Sequence, residues 1–88
     1  MPLQVSERRH KKYKMVFTTP RKTVHFGDTR YMHYKDNTSL KKYTHLNHKD
    51  TKRRKLFWKR MAGANTKKQA LATLDSRSAA FLSVKYLW

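Results

Sequence analysis

Apolar positions along this chain follow a period of two near its start and a helical period near its end, with a polar stretch between. Tyr13 to Thr18 and Lys22 to Phe26 alternate apolar with polar side chains and are rich in β-branched and aromatic residues. Pro20-Arg21 supplies a turn signal between the two runs, and Gly27-Asp28 closes the second. The pattern predicts a β-hairpin, with Met15 and Phe17 on one face and Val24 and Phe26 on the matching face of the other strand. Two strands are marginal in water, so the hairpin must pack on something.

Residues 28–46 show no period. Tyr31, Tyr34 and Tyr43 are scattered among Asp, Asn, Thr and Ser, which predicts an irregular linker whose rings dock elsewhere, with Asp36-Asn37 as a turn. Asn47 then stands as a helix cap, with Asp50 in the first turn, where its carboxylate meets the positive end of the helix dipole; the helix runs to about Ala62 and stops at Gly63. Thr66 with Gln69 is a capping-box pair opening a second, short helix. Asp75 or Ser76 is expected to cap a third, with Ala80, Phe81, Val84, Leu87 and Trp88 near helical spacing. The expected fold is α+β: a basic extended arm over residues 1–12, then a single small domain over 13–88 made of the hairpin and two or three short helices.

Composition restricts how that domain can be held together. In 88 residues, 38% are apolar, below the roughly 45–50% of typical soluble domains, so a large independent core is not expected and partners are expected to complete it. The aromatic share of 12%, with only two Gly and two Pro, nevertheless points to a chain that orders. There is no cysteine to add disulfides or thiolate-zinc sites. No signal-peptide core and no apolar run of about 20 residues is present, so the expectation is an intracellular protein without a membrane span.

Charge changes the picture most. Twenty-two Lys and Arg against five acids give +17, which opposes compaction in isolation and favours a negative partner. Seven of those cations lie between His48 and Met61: Lys49, Lys52, Arg53, Arg54, Lys55, Lys59 and Arg60. On a helical wheel Lys49, Lys52, Arg53, Lys59 and Arg60 share one broad side, Leu56, Phe57 and Met61 form an apolar strip, and Arg54, Lys55 and Trp58 border it. Like charges one turn apart disfavour an isolated helix, so something negative should face it. Phosphate and an acidic protein surface both fit: the first would make binding steeply salt-dependent, the second would use Arg and Trp as anchors. Arg8 and Arg9 in the N-terminal arm are further contact candidates, and Phe57, Trp58, Phe81, Tyr86 and Trp88 are candidate hydrophobic anchors. His25, His33, His45 and His48 lack the Cys and Glu company of a closed metal site, and no nucleophile-base-acid grouping, carboxylate pair or glycine-rich phosphate loop is legible. Neither an enzyme nor a cofactor is expected.

Four blocks stand in order along the chain: Lys22 to Gly27 (KTVHFG), Tyr31 to Tyr34 (YMHY), His48-Lys49-Asp50 with Arg53, Arg54, Phe57 and Arg60, and Ser78 to Phe81 (SAAF) with Ser83, Leu87 and Trp88. In them, over residues 12–88, the chain resembles small basic proteins encoded by nucleocytoplasmic large DNA viruses of algae and protists. It departs from their pattern at Met61, Leu82 and Tyr86, and in extra residues between Tyr34 and His48. The resemblance implies a virion protein: a minor capsid protein on the inner face of the shell, made in the host cytoplasm or nucleus. It would bind acidic surfaces of the major or other minor capsid proteins, with viral DNA as the alternative partner.

Overall fold

The computed structural model describes residues 2–18 and 21–88; the expected turn residue Pro20 lies outside them. Three antiparallel strands come first: β1 (Leu3–Val5), β2 (Lys11–Thr18) and β3 (Arg21–Asp28), in the order β1-β2-β3. The β2/β3 register sets Tyr13 against Phe26 and Met15 against Val24, so the expected apolar face exists. The expected basic extended arm over residues 1–12 is in part sheet, because Leu3–Val5 form β1. Leu3 pairs with Met15 and Val5 with Tyr13, and Leu3 is buried in the core, because its side chain covers apolar surface that the two-stranded hairpin would leave wet. Arg8 and Arg9 are exposed in the turn that follows, where His10 takes a left-handed conformation.

Helices follow: α1 (Thr51–Ala62), α2 (Lys67–Thr73) and α3 (Ala79–Leu87), after a short 3-10 turn at Thr44–Leu46. The architecture is α+β, as the sequence implies. Asp50, not Asn47, caps α1: its carboxylate accepts from the Lys52 and Arg53 amides. Gly63 closes that helix at φ 63°, the left-handed turn that lets its N–H reach back to the last carbonyls. Thr66 caps α2 by accepting from the Gln69 amide, while Gln69 Oε1 accepts from the Asn65 amide, one residue before the partner of a true capping box. The third cap is Ser78, whose hydroxyl accepts from the Phe81 amide; Asp75, one of the expected caps, instead turns the preceding loop by accepting from the Arg77 amide.

α3 carries the packing. Leu82 and Leu87 join Leu3, Tyr13, Met15 and Phe26 in one core, while Val84 joins Trp58, Ala64 and Ala70 in a second under α1 and α2. Both cores are assembled from residues of this chain. The linker between sheet and α1 is tied down at both edges. Lys35 and Asn37 amides donate to the Leu87 and Tyr86 carbonyls, satisfying groups that the end of α3 leaves without helical partners. The His33 amide donates to the Leu46 carbonyl, and the His48 amide donates back to His33.

Candidate functional site

Two polar clusters fix the linker and so position α1. In the first, the buried Asp36 carboxylate accepts from Tyr13 Oη, the Thr38 hydroxyl and amide, and the Tyr43 amide. Burial opposes ionisation of Asp36, but this set of donors outweighs it and holds the carboxyl below its ordinary value. Burial and the bond to Asp36 push the Tyr13 hydroxyl up to about 12, so it stays a donor. In the second cluster Lys12 Nζ donates to the Tyr31 carbonyl at 3.0 Å and to His33 Nδ1 at 2.7 Å. An ammonium cannot accept, so Nδ1 is the bare nitrogen and Nε2–H donates to Asn47 Oδ1 at 2.6 Å. The same Asn47 oxygen accepts the Asp36 amide at 2.8 Å, which joins the two clusters and explains why Asn47 is not free to cap α1. Burial, then the adjacent Lys12 charge, lowers His33 to about 4; burial lowers Lys12 to about 8 against the pull of Asp28 and Asp36.

On this base α1 presents its charge. Lys52, Arg53, Lys55, Lys59 and Arg60 of α1 are all exposed, and so is Lys49, which falls outside the helix, before the Asp50 cap, in a left-handed conformation at φ 55°. The ion pairs seen among the described residues join Lys14 to Glu7 and Arg30 to Asp28 and involve none of these six side chains. Arg54 is different. Its guanidinium lies 4.3 Å from the Tyr34 ring and 4.6 Å from the Trp58 ring, and its Nε donates to the Trp88 carbonyl at 2.7 Å. Arg54 is therefore a structural tie between α1 and the end of α3, not part of the outer surface. Trp58 is buried beneath it.

The helical wheel is also rotated from the expected one. Leu56 is 66% exposed and Met61 37%, whereas Arg54 and Trp58 face the core, because the aromatic and guanidinium groups find partners there and Leu56 does not. Of the expected anchors, Phe81 and Tyr86 pack on the main core, with Tyr86 stacked 5.9 Å from Phe26. Phe57 and Trp88 stack on each other at 4.3 Å, nearly parallel, and remain half-buried.

That stacked pair lies in a cleft of about 680 Å³ between α1 and the loop after β3. Leu56, Tyr31 and Met32 supply its apolar walls, and Arg30, Arg53 and Arg60 its cations. A second depression of about 340 Å³ shares Tyr31, Met32, Phe57, Arg60 and Trp88, so the two form one groove. His48 also lines the cleft: its Nδ1 accepts the Asp50 amide, while Nε2 is buried without a partner. Burial, then the neighbouring Arg53 charge, lowers the His48 pKa. The sequence shows the cations of this cleft but not the cleft, since Tyr31 and Met32 come from a segment without a period. Among the described residues no group of three or more His, Cys, Asp or Glu side chains could hold a metal, and no helix is long and apolar enough to cross a membrane.

The fold and site define a small α+β protein with an exposed cationic surface on one helix, beside an arginine-rimmed apolar cleft. The chain belongs to DUF5754, a family of unknown function, whose match spans residues 1–61 and so takes in the sheet, the linker and most of α1. No curated protein and no solved structure matches it.

Proposed function

We propose that this chain is a non-catalytic minor capsid protein of a large DNA virus, seated on the inner face of the shell, where the exposed cations of α1 hold acidic surfaces of other capsid proteins. One observation carries the contact: five cations, Lys52, Arg53, Lys55, Lys59 and Arg60, stand exposed on one short helix, with Lys49 just before its cap, and among the described residues none of them is ion-paired, while Trp58 on the inner face of that helix is buried in the second core. A helix this crowded with like charge is stabilised by an external negative surface. The viral setting rests on the four sequence blocks in which the chain resembles proteins of such viruses. Amine cross-linking of purified virions followed by mass spectrometry tests the proposal. The expected result is a set of links from Lys52, Lys55 and Lys59 to shell proteins; absence of the chain from virions overturns it.

The same cations, with Arg8 and Arg9 exposed in the first turn, favour a second reading, sequence-independent contact with viral DNA. It predicts affinity for duplex DNA that falls steeply with salt, with a slope that becomes shallower by about one unit for each contacting cation removed. Arg53→Ala and Lys52→Ala are the informative variants, since Arg54 is committed to the fold. No retention of duplex DNA at about 50 mM salt removes this reading.

A further inference from the structure

We infer that the cleft between α1 and the loop after β3 is a docking site for an acidic protein segment that presents one apolar side chain between carboxylates. This deepens the capsid reading and rests on it only for the identity of the protein that supplies the segment. The apolar part of the argument comes from exposure. Leu56 at 66%, Tyr31 at 65% and Met32 at 46% stand around the half-buried Phe57–Trp88 stack. Exposed aliphatic and aromatic groups gathered at one depression mark contact sites, and a phosphate backbone would leave Leu56 and Met32 as wet as they are now.

Charge complementarity identifies the rest of the occupant. Arg53 and Arg60 stand at the cleft with no carboxylate paired to them among the described residues, and Arg60 lies 5.6 Å from the Phe57 ring, so its charge sits directly beside the apolar floor. Arg30, the third arginine, is held in place by Asp28. His48 adds a wall whose buried Nε2 has no partner among the described residues. Arg, Tyr, Trp and Met around a concave apolar centre are the residue types that carry binding energy at protein interfaces. Within a chain of +17, the segment that fills this centre must bring carboxylates for the arginines.

The experiment titrates the full chain with two synthetic peptides at about 150 mM salt, where distant surface charge is largely screened. One has a central Phe flanked on each side by Asp and Glu; the other has Ser in its place. Fluorescence of Trp88 and amide NMR shifts report binding. The expected result is at least about tenfold tighter binding of the Phe peptide, with shifts confined to residues 30–33, 48, 53–60 and 88, and about tenfold loss in both Leu56→Asp and Arg53→Glu. Lys68→Ala, on the exposed side of α2, should leave affinity unchanged. Leu56 supports no core, so its variant folds, and circular dichroism verifies this. Equal affinity for the two peptides overturns the cleft, as does a single-stranded oligonucleotide that binds more tightly and displaces the Phe peptide. If acidic peptides bind without preference while virion cross-links persist, the cleft inference alone falls. If the Phe preference holds and the chain is absent from virions, only the capsid reading falls.

Discussion

Four residues, Tyr13, Asp36, His33 and Lys12, turn a linker with no periodic signal into a fixed scaffold. Removing the Tyr13 hydroxyl isolates a buried carboxylate from one donor and leaves the Lys42 amide without its acceptor at 2.9 Å. Tyr13→Phe is therefore expected to cost about 2–3 kcal/mol, measured by chemical denaturation, with no change in the slope of the transition. The His33 side chain sets an acid limit. Its folded pKa of about 4 lies below the 6.5 of an unfolded histidine, so the unfolded chain takes up a proton that the folded one refuses. The contribution is complete above pH 6.5 and drains away as pH falls towards 4. His33→Gln, which keeps a neutral donor and acceptor, should flatten that part of the stability curve; an unchanged slope between these pH values would refute the assignment. Lys12 acts with the same sign in another window. Its depressed value makes its burial a cost at neutral pH, one that is relieved as pH rises from about 8 to 10.5.

At the scale of elements, what could be read from the sequence was what depends on near neighbours. The alternation within β2 and within β3, the end of α1 at Gly63 and the Thr66 cap all follow from residues within a few positions of each other. Asn47 and Asp50 show where that stops. Either spacing caps a helix, and the choice falls to Asp50 only because Asn47 is taken by His33, 14 residues away. Strand β1 was missed for a related reason: three residues, Leu3 to Val5, carry too short an alternation to register, and their pairing depends on the hairpin edge. The cleft was missed because Tyr31 and Met32 are placed by the linker's hydrogen bonds and not by any pattern of their own. The two glycines divide along the same line. Gly63 sits at φ 63° in open space, so Gly63→Ala should cost only about 1 kcal/mol from the left-handed backbone. Gly27, at φ 76°, faces Leu87 Cδ1 at 2.9 Å and Lys12 Cδ at 3.1 Å from where a Cβ would stand. Gly27→Ala adds a clash at the seam of sheet and α3 to the same backbone strain, and a loss of roughly 2–4 kcal/mol is expected from thermal unfolding. Equal losses at the two positions would mean that the close approach to Leu87 is relieved without cost.

For the whole molecule, the balance lies between two closed apolar cores and a surface whose charges mostly repel. A radius of gyration of 12.5 Å for 88 residues is that of an ordinary compact domain, so the fold holds its +17 charge within a small volume. Folding brings the cations of α1, the first turn and the outer strand closer than they are in the open chain, and the cost of doing so falls as salt shortens the range of repulsion. Raising salt from about 20 to about 300 mM should therefore increase the melting temperature by several degrees, about what 1 kcal/mol achieves in a domain of this size. Sulfate should exceed chloride at equal ionic strength, because it is excluded from apolar surface as well as screening charge. Lys52→Glu and Lys59→Glu together lower the charge of α1 without touching either core, so the double variant should melt higher in low salt and respond less to added salt. The same variant weakens any acidic or phosphate partner, so stability and binding should move in opposite directions. A basic helix kept for solubility alone would give the first change without the second; a surface kept for its partner gives both.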